Sequence, residues 1–161
     1  MNKKVYKAFN EQVQAEFYSA YMYLQMSLDM ESKNFKGMAH WLMTQYEEER
    51  EHALKLVKFM QDRGAKPEML KVDAPAADYG TPLELFKKVL EHEKYVTSRI
   101  HAMYEVAVAE KDYAAQSHLK WFIDEQVEEE ANASEIVDKL TMVGENVGGL
   151  FIIDGQLGAR K

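Results

Sequence analysis

Cysteine is absent from the 161 residues, and with it go disulfides, thiolate metal sites, iron–sulfur clusters and any cysteine nucleophile. Proline (3) and glycine (8) are scarce, so the chain has few places to turn and suits long helices. Positive charge is in deficit: 20 Lys and Arg against 27 Asp and Glu give a formal charge of −7. That balance argues against a nucleic-acid-binding surface and favours attraction of cations. No apolar run approaches the roughly 18–20 residues that would cross a bilayer. Met1-Asn2-Lys3-Lys4-Val5 leads directly into an amphipathic pattern. Neither a signal peptide nor a membrane span is expected, and a cytoplasmic location is.

What is present is 47% hydrophobic and 29% charged residue content, the profile of a folded domain, and the length suits a single domain over 1–161. Helical periodicity runs from about Lys3 to Glu31, with Phe9, Val13, Ala20, Tyr23, Ser27 and Met30 on one stripe. A second helix is expected over about Phe35 to Arg63, with Asn34 as its N-cap and Gly64 as its stop. The short link makes these two antiparallel neighbours. Residues 64–80 carry Gly64, Pro67, Pro75 and Gly80 and no helical pattern. Extended, such a stretch spans roughly 55–60 Å, more than the ~42 Å of a 28-residue helix. It can cross a whole bundle and start the next helix parallel to the last. Thr81-Pro82-Leu83-Glu84 is a capping box with proline at the first helical position, and Asp112 can cap a fourth helix ending at Gly144. Leu150-Phe151-Ile152-Ile153 lies in a short fifth helix that packs against another surface, for which a second subunit is one choice. The expected fold is all-α: a four-helix bundle with one long crossover and a short fifth helix.

Each long helix has polar residues in the middle of its apolar stripe. Leu42, Gln45, Glu49, His52, Leu56 and Phe59 share one face of the second helix, so Glu49 and His52 sit where apolar residues belong. Glu16 interrupts the first stripe, Glu93 the third, and Gln126 and Glu129 the fourth. All lie about 14–17 residues from a connecting turn, or roughly 20–25 Å at ~1.5 Å per residue, and so meet at one level. Four glutamates, a glutamine and a histidine in a low-dielectric layer would repel one another without cations. Two divalent ions with one bridging carboxylate would neutralise them, and oxygen-rich ligation with a single imidazole suits iron or manganese.

These residues carry a resemblance. Glu16 with Tyr23 seven residues on, Glu49-x-x-His52, His92-Glu93 and Trp121-Phe122-Ile123-Asp124-Glu125-Gln126-Val127-Glu128-Glu129-Glu130 make the chain similar to the bacterial and archaeal non-haem ferritins over essentially its whole length. The resemblance implies that Glu16, Glu49 and His52 hold one iron, and that Glu49, Glu93 and Glu129 hold a second beside Gln126. It implies Tyr23 as the aromatic of the ferroxidase centre, with Tyr23, Glu49 and Gln126 taking part in the chemistry. A third iron would map to Glu48, Glu125, Glu128 and Glu129. The implied activity is oxidation of Fe(II) by O2 or H2O2 and storage of Fe(III) as an oxide mineral inside a homo-oligomeric shell of twenty-four subunits.

Departures from neighbouring families sharpen the expectation. Bacterioferritins and rubrerythrins have a second Glu-x-x-His, where this chain has Gln126-x-x-Glu129. Arg50 stands beside Glu49 where a bacterioferritin has its haem-ligating methionine, so no haem is expected. Rubrerythrins usually add a cysteine-bound iron, which this chain cannot make. The DNA-protecting relatives build their sites between subunits. Two other functions are compatible with the residues alone: a passive metal-binding bundle, and a peroxide-consuming diiron protein of rubrerythrin type. Trp121 is core packing or an electron donor, and His40, His92, His101 and His118 are not claimed as ligands.

Overall fold

The computed structural model describes residues 1–161 and consists of five helices: α1 (Lys3–Ser32), α2 (Lys36–Asp62), α3 (Pro82–Ala109), α4 (Tyr113–Val143) and α5 (Val147–Gly158). The pairs α1–α2 and α3–α4 pack closely, each joined by a short turn. The segment between α2 and α3 is held along α1 by a ladder of polar side chains. Tyr6 Oη donates to the carbonyl of Lys66, Asn10 exchanges two hydrogen bonds with the backbone of Glu68, and Gln14 Nε2 donates to the carbonyl of Lys71. Gln25 then reaches Ala77, and Asp29 accepts from the amide of Tyr79. The partners rise in step, 6 with 66 through 29 with 79, so the segment runs the length of α1 and delivers α3 parallel to α2.

The end of the crossover next to α3 is pinned electrostatically. Lys33 Nζ lies 2.8 Å from both Asp29 and Asp78 and donates to the carbonyl of Gly80. Thr81 and Glu84 form both halves of the expected capping box, and Asp112 Oδ1 accepts from the amide of Ala115 as the α4 cap. Asn34 behaves differently from its expected role. It has φ of 65° and stands just past the end of α1, while the amide of Phe35 returns to the carbonyl of Met30. It therefore terminates α1 in the left-handed region that asparagine tolerates, and Phe35 is the residue that precedes α2.

α5 packs back on its own chain. Asp154 accepts from the amides of Gly37 and Met38 at 3.1 and 2.8 Å, so a carboxylate from α5 satisfies the exposed donors at the start of α2. Phe151 stacks on Phe35 with ring centroids 5.9 Å apart. The two helices cross so closely that a Cβ on Gly37 would stand 1.7 Å from the carbonyl oxygen of Asp154.

The apolar interior is in two parts. One contains Tyr23, Met26, Met38, Leu42, Phe86, Val89, Ala133, Ile136 and Leu140; the other contains Phe9, Val13, Leu56, Met60, Ile100, Leu119 and Phe122. Between them lie Glu16, Glu49, His52, Glu93, Gln126 and Glu129, all buried. The bundle thus has a polar layer across its middle, supplied by all four long helices.

Candidate metal centre

The polar layer is assembled from one or two residues per helix, each one turn from an apolar neighbour on the same face. Ligand atoms of Glu16, Glu49 and His52 all lie within 4.8 Å of one another. His52 Nδ1 is 3.7 Å from Glu49 Oε1, as the i, i+3 spacing of a single helix face requires. On the opposite side of the layer, Tyr23 Oη donates to Glu93 Oε1. Gln126 Nε2 lies 3.1 Å from Glu93 Oε2 and 3.3 Å from Thr97 Oγ1. Glu129 Oε2 accepts from Gln45 Nε2 at 2.9 Å.

Hydrogen bonding in the layer is incomplete in an informative way. Both oxygens of Glu49 and Oε2 of Glu16 are buried without any hydrogen-bond partner. Buried carboxylate oxygens in folded proteins are nearly always satisfied, and leaving one bare costs about 1–3 kcal/mol. Three bare oxygens beside a buried imidazole are the donor set of a hard or borderline cation.

The ionisation of these groups points the same way. Burial, and then the fields of Glu16, Glu93 and Glu129, hold Glu49 well above the usual carboxylate range. Burial also raises Glu16; the neighbouring Glu49, Gln12 and Arg99 oppose the rise. Glu16 and Glu49 lie near enough to share a proton, although their oxygens do not meet hydrogen-bond geometry. Glu93 is pushed up to about 7 by burial against the opposing bonds from Tyr23 and Gln126. Glu129 is pushed up to about 8 by burial and by Glu93. His52 is pushed down to about 4 by burial and the nearby Lys55 cation, so its ring is neutral at pH 7 and has a lone pair to offer. The Tyr23 phenol, buried among three carboxylates, is driven well above its ordinary value and stays protonated. Without cations the layer must hold protons; a pair of divalent ions would replace them.

The acids associated with a third position are arranged differently. Glu48 Oε2 is bound by Arg160 Nη2 at 2.6 Å. Glu125 is raised by partial burial and then by the fields of Glu128 and Glu48, while Glu128 faces solvent. These three share a field but do not converge as Glu16, Glu49 and His52 do. Trp121 is 37% exposed rather than core. Its ring stands edge-on to His52, centroids 5.3 Å apart, with Lys55 Nζ 3.7 Å above it; it shields the imidazole from solvent. His92 bonds Ser19, and His118 stacks on Phe59. Arg99 and Arg160 escape a reading of the sequence because their glutamine partners lie on other helices; Gln12 stands one turn before Glu16 on α1, and Gln45 lies on the α2 stripe itself.

The ferritin-like domain family model matches residues 6–143 of the chain. The bacterial non-heme ferritin of Bacteroides fragilis is 43% identical over 160 residues, with 99% of each chain covered. That of Staphylococcus aureus is 37% identical, over 99% of this chain and 96% of its own. Among solved structures, an open pore ferritin from the archaeon Archaeoglobus fulgidus superposes with a TM-score of 0.99 at 41% identity, covering 100% of this chain and 99% of that one. A structure described as a humanized archaeal ferritin gives a TM-score of 0.99 at 40% identity, over 100% and 98%.

Proposed function

The chain belongs to the ferritin family, and on that premise we propose that it is an iron storage protein with ferroxidase activity. Fe(II) is the substrate. Glu16, Glu49 and His52 would hold one ion, and Glu49, Glu93 and Glu129 the other, with Gln126 beside the second. The observation that carries this reading is Glu49: both its oxygens are bare in the core, which suits a carboxylate that bridges two ions. Each Fe(II) gives up one electron, to O2 or H2O2, and the surrounding carboxylates favour the more highly charged product. Neutral His52 leaves one uncharged donor on the first ion. Tyr23, a phenol bound to Glu93, fixes that carboxylate and is placed to donate a proton or an electron.

Fe(III) then moves to a mineral enclosed by a homo-oligomeric shell, for which we propose twenty-four subunits in the cytoplasm. Glu48, Glu125, Glu128 and Glu129 would supply a third iron position on the way. The half-exposed apolar face of α5, with Phe151 and Ile152, is consistent with burial in such an assembly. The test is to add Fe(II) to the metal-free protein under anaerobic conditions, admit O2, and follow Fe(III) absorbance. Wild type is expected to show a fast phase that Glu49→Ala lacks. Equal rates in the two proteins would sink the ferroxidase assignment, and a monomer or dimer mass by light scattering would remove the shell.

A further inference from the structure

Two of the buried glutamates are held by glutamines, and each glutamine is held in turn by an arginine from another part of the fold. Arg99 of α3 donates Nε to Gln12 Oε1 at 2.9 Å, and Gln12 Nε2 donates to Glu16 Oε1 at 2.8 Å. Arg160, which follows α5, donates Nη1 to Gln45 Oε1 at 2.6 Å, and Gln45 Nε2 donates to Glu129 Oε2 at 2.9 Å. Both glutamines are buried, with 1% and 0% exposure. Both arginines sit at the edge of the bundle and are anchored a second time: Arg99 on the carbonyl of Glu11 and on Tyr95, Arg160 on Glu48 and over the Trp41 ring.

We propose that Arg99 and Arg160 are positioning residues that act through Gln12 and Gln45 to set how many oxygens Glu16 and Glu129 offer to a metal ion. A glutamine side chain has an acceptor end and a donor end, and either can face a neighbour. An arginine can only donate, so it pins Oε1 outward and turns the NH2 group inward onto the carboxylate. One oxygen of each outer glutamate is thereby tied, and the other is left for the ion: Oε2 of Glu16 has no partner. Glu49 receives no such bond and keeps two free oxygens. Across Glu16, Glu49 and Glu129 the count of untied oxygens then reads one, two, one; Glu93, bonded by Tyr23 on one oxygen and by Gln126 on the other, would meet an ion only through a second lone pair. This rests on the dinuclear reading above and adds the residues that define its ligand geometry.

The sign of the effect separates positioning from simple charge. A guanidinium near a cation site repels the cation, so removing it should tighten metal binding if charge were its only role. If it positions, removal should weaken binding despite the relief of repulsion. The experiment is a Co(II) titration of the assembled, metal-free protein, following d–d absorption, which reports coordination number as well as occupancy. Arg99→Met and Gln12→Leu are each expected to weaken one of the two Co(II) ions by about 10–100-fold and alter its d–d band, as loss of an outer-sphere hydrogen bond does. The double variant should be no weaker than Gln12→Leu alone. Arg160→Met and Gln45→Leu should do the same to the other ion. Unchanged or tighter binding in the arginine variants, or effects that multiply in the double variant, would overturn the proposal. Fewer than two Co(II) per chain in wild type would instead refute the dinuclear reading, and needs no variant to detect.

Discussion

Glu49 is built for a ligand at the expense of the fold, and Glu49→Gln measures that conflict. The carboxyl is 1% exposed, with both oxygens unpartnered and three other glutamates acting on it. An amide of the same shape removes the charge and adds two donors, one of which can satisfy the bare Oε2 of Glu16. Relieving one unsatisfied buried group contributes about 2 kcal/mol, and for a chain of this size that corresponds to roughly 4–8 °C in Tm. The metal-free variant should therefore melt higher than metal-free wild type at pH 8, by differential scanning calorimetry in EDTA. The gain should shrink at pH 5, where protonation already relieves the wild-type layer. With Fe(II) and O2, the same variant should lose its fast oxidation phase, at least about 100-fold, since a bridge cannot be made by an amide of half the acceptor capacity. A metal-free Glu49→Gln protein that melts below wild type would mean that Glu49 is structural. The argument from its bare oxygens would then fail.

Three further outcomes follow from the same geometry. Glu93 and Glu129, at about 7 and 8, bind more protons folded than unfolded, where carboxyls titrate at about 4.3. Metal-free stability should therefore fall as pH rises from about 4.5 to 8 and be restored on acidification within that window; saturating Mn(II) should reverse the slope, which Tm against pH with EDTA or Mn(II) will show. Tyr23→Phe leaves Glu93 with Gln126 as its remaining side-chain donor, so it should cost about 1–2 kcal/mol of metal-free stability in urea and slow Fe(II) oxidation by roughly 10-fold. Gly37→Ala would force a methyl into the backbone of α5 at Asp154, costing about 1–3 kcal/mol. It should expose residues 145–161 to limited proteolysis and, by loosening the hold of Arg160 on Gln45, weaken the Co(II) ion at Glu129; a protected segment would contradict the crossing geometry.

Much of this was legible because helices repeat. Gln126 and Glu129, expected to interrupt an apolar stripe on the fourth helix, lie on its buried face with Ala115, Leu119, Phe122, Ala133, Ile136 and Leu140, all at helical spacing. A 3.6-residue period also converts distance along the chain into height, which is why Glu16, Glu49, Glu93 and Gln126 could be brought to one level before any contact was known. Conformation at single residues was less legible. Asn34 is equally at home capping a helix start and ending one in the left-handed region, and only the hydrogen bond from Phe35 to Met30 decides between them. Contacts between elements were the least legible. Arg160 and Gln45 are 115 positions apart, and no periodicity relates a residue beyond α5 to the second helix. The same holds for Asp154, whose carboxylate caps α2 from 116 residues away. On α3 the buried line around Glu93 passes through Val89, Val96, Ile100 and Met103, while Thr97, one turn after Glu93, bonds Glu130.

The most direct test is where iron goes. Crystals of the metal-free protein, soaked anaerobically in Fe(II) and measured at the iron absorption edge, should show two anomalous peaks inside each bundle. One should lie among Glu16, Glu49 and His52, the other among Glu49, Glu93 and Glu129, with Glu49 touching both. Peaks confined to exposed acids such as Glu128, with none in the buried layer, would contradict the account.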